Sequence, residues 1–251
     1  MRLVRMGKMD GLSSVILMDA LEIARSKGIV GNTMTLCCPS ASIWIGEKQN
    51  LSHVDTLFCR EKGIPVIRRV TEGGAIVHGG QVTVDLFSDS LPTLPILVSG
   101  IIKAFRIIGL HAVHRPHSND VLVNERKICG VIARTKGGIL HFSANLSLDF
   151  DSELAERALR IPAEKFKDKN AKTVGEWVTS TSRELGREVS YEEAEDALVK
   201  SFSSVLGVQF EEAELTSEEL SIMDELADKY ESESWIKYGK WSPVKDYWRP
   251  K

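Results

Sequence analysis

The sequence predicts an α+β domain, with mixed or antiparallel sheets flanked by helices. Three observations predict it: many short strand-like segments, a few strongly periodic helices, and two helices gathered in the last third. Strands and helices do not alternate regularly, which argues against a doubly wound parallel sheet.

The first helix is predicted over residues 13–27. Val15, Met18, Leu21 and Ala24 share a face, Ser13 or Ser14 caps the start, and Gly28 closes the end. Residues 33–38 and 42–46 read as short strands, 60–63 end a helical segment, and 64–69 form a third strand. A glycine-bearing stretch, 71–80, precedes a strand over 81–87, where Val82, Val84 and Leu86 alternate as on a half-buried strand. Leu94, Leu97, Val98, Ile101, Phe105 and Ile108 recur at helical spacing, with Gly109 at the C-cap position.

Strands over 121–123 and 127–133 form a hairpin around Asn124 and Glu125. Leu140, Phe142, Ala144, Leu146, Leu148 and Phe150 then alternate with polar residues, the plainest strand in the chain. Ser190 with Glu193 and Thr216 with Glu219 fit capping boxes. Ala194, Leu198, Phe202 and Val205 form one apolar stripe; Leu220, Met223 and Leu226 form another. One domain is expected over 1–240, followed by a C-terminal tail, 241–251.

Composition narrows the function. A hydrophobic content of 43% supports a real core, and 27% charged residues a soluble surface. A net charge of −3 lacks the basic excess of an electrostatic nucleic-acid binder, so no nucleic-acid partner is expected. The charged start has no apolar segment after it, and the stretch 94–110 is too short and too charged to span a bilayer. The four cysteines, Cys37, Cys38, Cys59 and Cys129, have no zinc-site spacing. A reduced, cytoplasmic protein is the expectation.

Two constellations carry chemistry. The first is Arg68-Arg69-Val70-Thr71-Glu72-Gly73-Gly74-Ala75-Ile76-Val77-His78. Glycines let backbone N–H groups approach a ligand closely, and arginine suits phosphate and carboxylate oxygens. A bare glycine pair is also what an ordinary hairpin loop contains. The second is Asn119-Asp120 followed by Lys127-x-x-Gly130. Asn119 and Asp120 offer oxygens to magnesium or ribose, and Lys127 opens a strand that can aim its ammonium at a phosphate. A solvated hairpin lysine is the ordinary alternative. Cys129 reads as a small core residue facing away from Lys127.

Together these segments resemble the lipoate–protein ligases. Ile45-Gly46-Glu47-Lys48-Gln49-Asn50, the Arg69 to His78 block, Asn119-Asp120, Lys127-x-x-Gly130 and Leu140-His141 occur in that family's order. The stretch 160–169 and the close from Lys229-Tyr230 to Trp235 match as well. The resemblance covers residues 13 to 240 and implies the fold of a biotin/lipoate ligase catalytic domain.

It also implies a two-step reaction. A lipoate carboxylate attacks the α-phosphate of ATP, with Mg2+, giving lipoyl-AMP; an acceptor lysine then displaces AMP. By the same resemblance Lys127 is the catalytic residue. Arg69, Gly73, Gly74, Ala75, His78, Asn119, Asp120 and His141 bind the acyl-adenylate, with Asp120 the candidate magnesium ligand. Trp44 is either a wall of the acyl site or core packing. The implied acceptor is a lipoyl domain or a glycine-cleavage H-type protein. Because many relatives continue into a small accessory domain, a separately encoded accessory partner is expected, or a protein that works without one.

Two positions depart from the family: Glu72 stands where a third glycine is usual, and Gly79 follows the histidine where aspartate is common. A carboxylate beside an anion site is unfavourable unless it points away or is paired. Other activities also fit the resemblance. Octanoyltransferases of similar fold use a cysteine thioester, but residues 109–116 and 140–251 contain no cysteine, which leaves Cys129. Biotin–protein ligases share the Asn-Asp and Lys-x-x-Gly segments but not the arginine-glycine loop. A catalytically silent lipoate-binding relative is the reading that Glu72 favours.

Overall fold

The strand predicted most plainly, with its alternating leucine, phenylalanine and alanine, lies at the centre of the molecule. The computed structural model describes residues 1–90, 92–167 and 169–241. In chain order the elements are β1 (Arg2–Met9), α1 (Gly11–Ser26), β2 (Thr33–Pro39), β3 (Ser42–Ile45), α2 (Thr56–Glu61), β4 (Val66–Arg68), β5 (Ile76–His78), β6 (Gln81–Ser88), α3 (Leu94–Ile108), β7 (Val113–His114), β8 (Asp120–Val123), β9 (Arg126–Lys136), β10 (Ile139–Ser147), α4 (Ser152–Ala158), α5 (Val174–Trp177), α6 (Thr181–Leu185), α7 (Tyr191–Leu206), β11 (Glu211–Glu212), α8 (Ser217–Glu231) and α9 (Glu233–Tyr238).

Eight strands form one mixed sheet, in the order β11-β1-β2-β6-β10-β9-β8-β7, and β4-β3-β5 form a second. β1 pairs in parallel with β2 and β11; the remaining neighbours in the large sheet are antiparallel. Helices α3 and α7 cover one face, where Leu97, Ile101, Phe105, Leu198 and Phe202 join Val84, Phe142 and Ala144. α1 covers part of the other face and is itself backed by α8. The α+β class, with its mixed sheet and flanking helices, is therefore what the chain adopts.

Several sequence expectations need correction. β6 is buried along its whole length rather than half-buried, because helices cover both faces of the sheet there. α1 begins at Gly11, two residues early, because the Asp10 carboxylate accepts from the Ser13 N–H and supplies the cap. Gly11 is needed at that start: a Cβ there would lie 2.3 Å from Ser42 Oγ. On α8 the inward residues are Glu219, Ile222, Leu226 and Tyr230, while Leu220 is 48% exposed. Glu219 turns the helix, since its carboxylate holds both the capping box and the Arg2 guanidinium at 2.6 Å.

β1 is absent from the expectations altogether. Its charged residues look solvated in sequence, yet Arg2 and Arg5 are neutralised by Glu219, Glu195, Asp196 and Glu212. Beyond Trp241 the expected tail lies outside the described residues, as does Asp168 of the 160–169 block. No helix among the described residues is long and apolar enough to cross a membrane.

Candidate active site

The site starts from a hairpin whose turn and bulge set the side-chain directions. Asn124 and Glu125 both take positive φ, 49° and 62°, as a tight two-residue turn between right-twisted strands requires. Asn124 and Arg126 donate to the Glu184 carboxylate at 2.7 and 2.6 Å, which ties the turn to α6. Between Val121 and Leu122 the register shifts: Val121 pairs with Cys129, but Leu122 pairs with Lys127. Ile128 is the extra residue of a bulge.

The bulge has a chemical consequence. Positions three apart on a regular strand face opposite sides, but one inserted residue restores the parity. Lys127, Gly130 and Asp120 therefore share one face, while Cys129 turns with Val121 into the core. The Lys127 ammonium is held by the Asp120 carboxylate at 2.7 Å. It lies across Gly130, where a Cβ would be 3.2 Å from Nζ and 3.3 Å from Cε. The Lys-x-x-Gly spacing is a lysine and the empty place it occupies.

That face opens onto a cavity of about 390 Å³. Ile76, Val77, Phe150, Leu159, Phe166 and Trp177 make much of its wall apolar. Its cationic lining comes from Lys127, Arg160, Lys165 and Lys169, and Asp120 is its one carboxylate among the described residues. An apolar chamber with a cationic border suits a chain that carries an anionic head.

Of the residues predicted from sequence, Lys127, Asp120, Gly74 and Ala75 line this cavity. Arg69 does not; it is buried and serves the loop. Its guanidinium donates to Thr71 Oγ1 and to the carbonyls of Trp44, Glu72 and Gly74, all at 2.9–3.1 Å. Burial lowers its pKa to about 10. Gly73, at φ 108°, lies against this group: a Cβ there would be 2.9 Å from the guanidinium. The loop packs equally tightly on β3, since a Cβ on Gly46 would fall 2.2 Å from the Gly73 carbonyl oxygen.

Glu72 points away from the cavity. Its side chain is 68% exposed and paired with Lys48 at 2.5 Å, so the departure from the glycine pattern puts no carboxylate in the site. Gly79 has φ 137° and packs on Ala41, while the Gln81 side-chain oxygen accepts from the N–H groups of Gly79 and Gly80.

His78 lies behind the loop rather than in the cavity. It is fully buried against Trp44, ring centroids 3.8 Å apart, and neither ring nitrogen has a partner among the described residues. Burial, with Arg69 nearby, lowers its pKa to about 3, so the ring is neutral. Trp44 belongs to the core, its indole N–H donating to Ser42 Oγ at 3.0 Å. Asn119 is exposed beside the site, and its carbonyl accepts from the Val131 N–H. His141 stands apart beneath α1: Nε2 meets Asp85 at 2.9 Å, and the ring stacks on Phe87.

Sequence reasoning did not single out His53, Asn145 or Trp177, and gave no site role to Gln49, Arg160 or Lys165 within the family-like segments; all six line the cavity. They arrive from four distant segments with no shared local pattern. Gln49, Arg160 and Lys165 left a signal in the family-like segments that hold them, and Asn145 left one as an amide, a residue type disfavoured in strands, on the polar side of an alternating strand.

A family model described as the lipoyl protein ligase A/B catalytic domain matches residues 11–203. Lipoate-protein ligase A subunit 1 of Thermoplasma acidophilum is 30% identical over 200 residues, 72% of this chain and 75% of that protein. Octanoyltransferase LipM of Kyrpidia tusciae is 27% identical over 267 residues, 93% of this chain and 97% of the other. Among solved structures, a bi-partite lipoate protein ligase with its E2 lipoyl domain, from Thermoplasma acidophilum, superposes with a TM-score of 0.83. It is 26% identical and covers 97% of this chain and 98% of its own. Lipoate-protein ligase A bound with ATP shares the fold at a TM-score of 0.83, with 23% identity, covering 95% of this chain and 99% of that one.

Proposed function

The chain belongs to the lipoyl protein ligase A/B catalytic domain family, and from that premise we propose that it is an ATP-dependent lipoate–protein ligase. It would join the lipoate carboxylate to the α-phosphate of ATP and pass the acyl group to an acceptor lysine. The observation that carries this reading is the Lys127 ammonium, fixed by Asp120 across Gly130 at the wall of an apolar cavity.

In the first step the carboxylate oxygen bonds to the α-phosphorus and pyrophosphate leaves. Lys127 offers its positive charge to the carboxylate and phosphate oxygens that meet there, and it is preorganised because Asp120 already holds it. The apolar wall from Ile76 to Trp177 receives the acyl chain and keeps water from the anhydride. In the second step the acceptor amine attacks the acyl carbon and AMP leaves. No covalent enzyme intermediate is required. No cluster of three or more acidic, histidine or cysteine ligands exists among the described residues. Magnesium would therefore arrive on the nucleotide phosphates with Asp120 as its one protein carboxylate, in keeping with that ion's habits.

The octanoyltransferase reading is favoured by LipM relatives. Against it stands the thiol inventory. All four cysteines are free and buried, and the one that reaches the cavity, Cys129, faces the core with its thiol pushed up to about 12 by burial. A thiol in that state is a poor nucleophile. The bi-partite assembly and lipoyl domain of the Thermoplasma structure support a lipoyl-domain acceptor and a separate accessory subunit for this chain. Four reduced cysteines accord with a cytoplasmic site of action.

The test is incubation with ATP, magnesium and lipoate, octanoate or biotin, with and without a lipoyl-domain acceptor, read by the acceptor's mass. A lipoyl mass gain that requires ATP supports the ligase. Transfer from octanoyl carrier protein without ATP replaces it with the transferase, biotin transfer with a biotin ligase, and binding without turnover with a silent relative.

A further inference from the structure

Asn145 sits in β10 between Thr83 of β6 and Gly130 of β9, directly paired with each. It lines the cavity in a strand whose neighbours are apolar or small. Asparagine is disfavoured in strands, and an amide in an apolar wall is costly without a partner. Half of that cost is met inside the protein, because the Thr83 hydroxyl donates to Asn145 Oδ1 at 2.8 Å. With Oδ1 accepting from Thr83, the N–H group of the amide is the branch left to donate.

Gly130 is where Lys127 lies. Directly opposed strand residues have Cβ positions about 4.5–5.5 Å apart, and the Lys127 nitrogen is 3.2 Å from the Cβ position of Gly130. Asp120 opposes Gly130 from the other side and holds the ammonium. The row Asp120–Gly130–Asn145 thus brings an ammonium and a side-chain amide to neighbouring places on one face, with Oδ1 of the one carboxylate on the ammonium. Donors paired in this way, at the head of an apolar chamber, match an oxygen that gains negative charge.

We propose that Asn145 is a second donor at the reacting centre, its amide N–H bonding the acyl oxygen beside the Lys127 ammonium as the acceptor lysine attacks. The role rests on the ligase reading above. In that step the amine nitrogen bonds to the acyl carbon. The bond from that carbon to the phosphate oxygen breaks with its electron pair going to AMP, and the amine's proton passes to water. Thr83 acts through Asn145, as a positioning residue that fixes which branch of the amide faces the site.

The experiment supplies preformed lipoyl-AMP and a lipoyl-domain acceptor and follows single-turnover transfer at saturating lipoyl-AMP. Asn145→Leu should slow transfer about 100-fold, in the range for loss of one oxyanion donor. Asn145→Ser, which keeps a shorter donor, should fall between that variant and wild type, and Thr83→Val should lose several-fold. A purely structural role would lower the melting temperature or the affinity for lipoyl-AMP and leave the saturated rate unchanged. Asn145→Ser decides the matter if Asn145→Leu does not fold. Wild-type rates in both Asn145 variants would overturn the proposal and leave the ligase intact. Wild-type protein unable to use lipoyl-AMP would instead overturn the ligase reading, and this role with it.

Discussion

The Lys127 ammonium nitrogen lies 3.2 Å from the point where Gly130 would carry a Cβ, so the side chain missing from one residue is the seat of the other. The relationship depends on the one-residue bulge between Lys127 and Cys129, without which the two would face opposite sides of β9. Gly130→Ala should therefore push the ammonium off its position without disturbing the fold, because the obstructed atoms are the far end of a flexible chain. We expect roughly a 10-fold loss of acyl-adenylate formation, by misplacement of a reacting group, with an unchanged melting temperature. Pyrophosphate exchange and thermal unfolding check the two halves.

Removing the charge itself should cost more. Lys127→Ala is expected to lower lipoyl-AMP formation by about 100- to 1,000-fold while the chain stays folded, since the side chain is a third exposed and packs in no core cluster. Wild-type rates in this variant would remove Lys127 from its role.

Glu72 looks disruptive in sequence and innocuous in place. Its carboxylate pairs with Lys48 in solvent, and Lys48 in turn lowers the Glu72 pKa. Glu72→Gly, restoring the family pattern, should change neither lipoyl-AMP affinity nor turnover measurably. A large gain of activity would mean that Glu72 restrains the site.

His78 predicts a pH dependence. Folding holds the ring neutral, with its pKa lowered to about 3, whereas the unfolded chain protonates it near the ordinary value of about 6.5. Below about pH 6.5 protons therefore favour the unfolded chain, so this contribution is full above that pH and declines toward pH 3. The slope from this one group is at most about 1.4 kcal/mol per pH unit. Urea midpoints across that window should fall less steeply for His78→Phe than for wild type; identical slopes would contradict the buried neutral ring.

Cys129 separates two chemistries. Cys129→Ala should retain ATP-dependent transfer, because the buried thiol faces the core and its pKa is raised to about 12. Loss of acyl transfer in a folded Cys129→Ala protein, with an octanoyl thioester trapped on the wild type, would support the thioester route.

Much of the fold is legible in the chain because its signals are local. The periodicity of α3, its Gly109 cap, the turn at Asn124–Glu125 and the alternation along β10 each arise within a few residues. β1 is not legible, since its arginines find their carboxylates about 190 to 217 residues away. The facing of α8 fails for the same reason: Glu219 is buried only because Arg2 reaches it.

The site divides along the same line. By itself the sequence determined the Lys127–Gly130 spacing, the glycine loop and the family they resemble, because those are contiguous motifs. Only the tertiary structure decided that Arg69 holds the loop rather than the cavity, that Glu72 leaves the site, and that Asn145 pairs with Gly130, the residue over which Lys127 lies. A side chain's direction and its partners depend on strand register and on segments far away in the chain, and no local pattern encodes either.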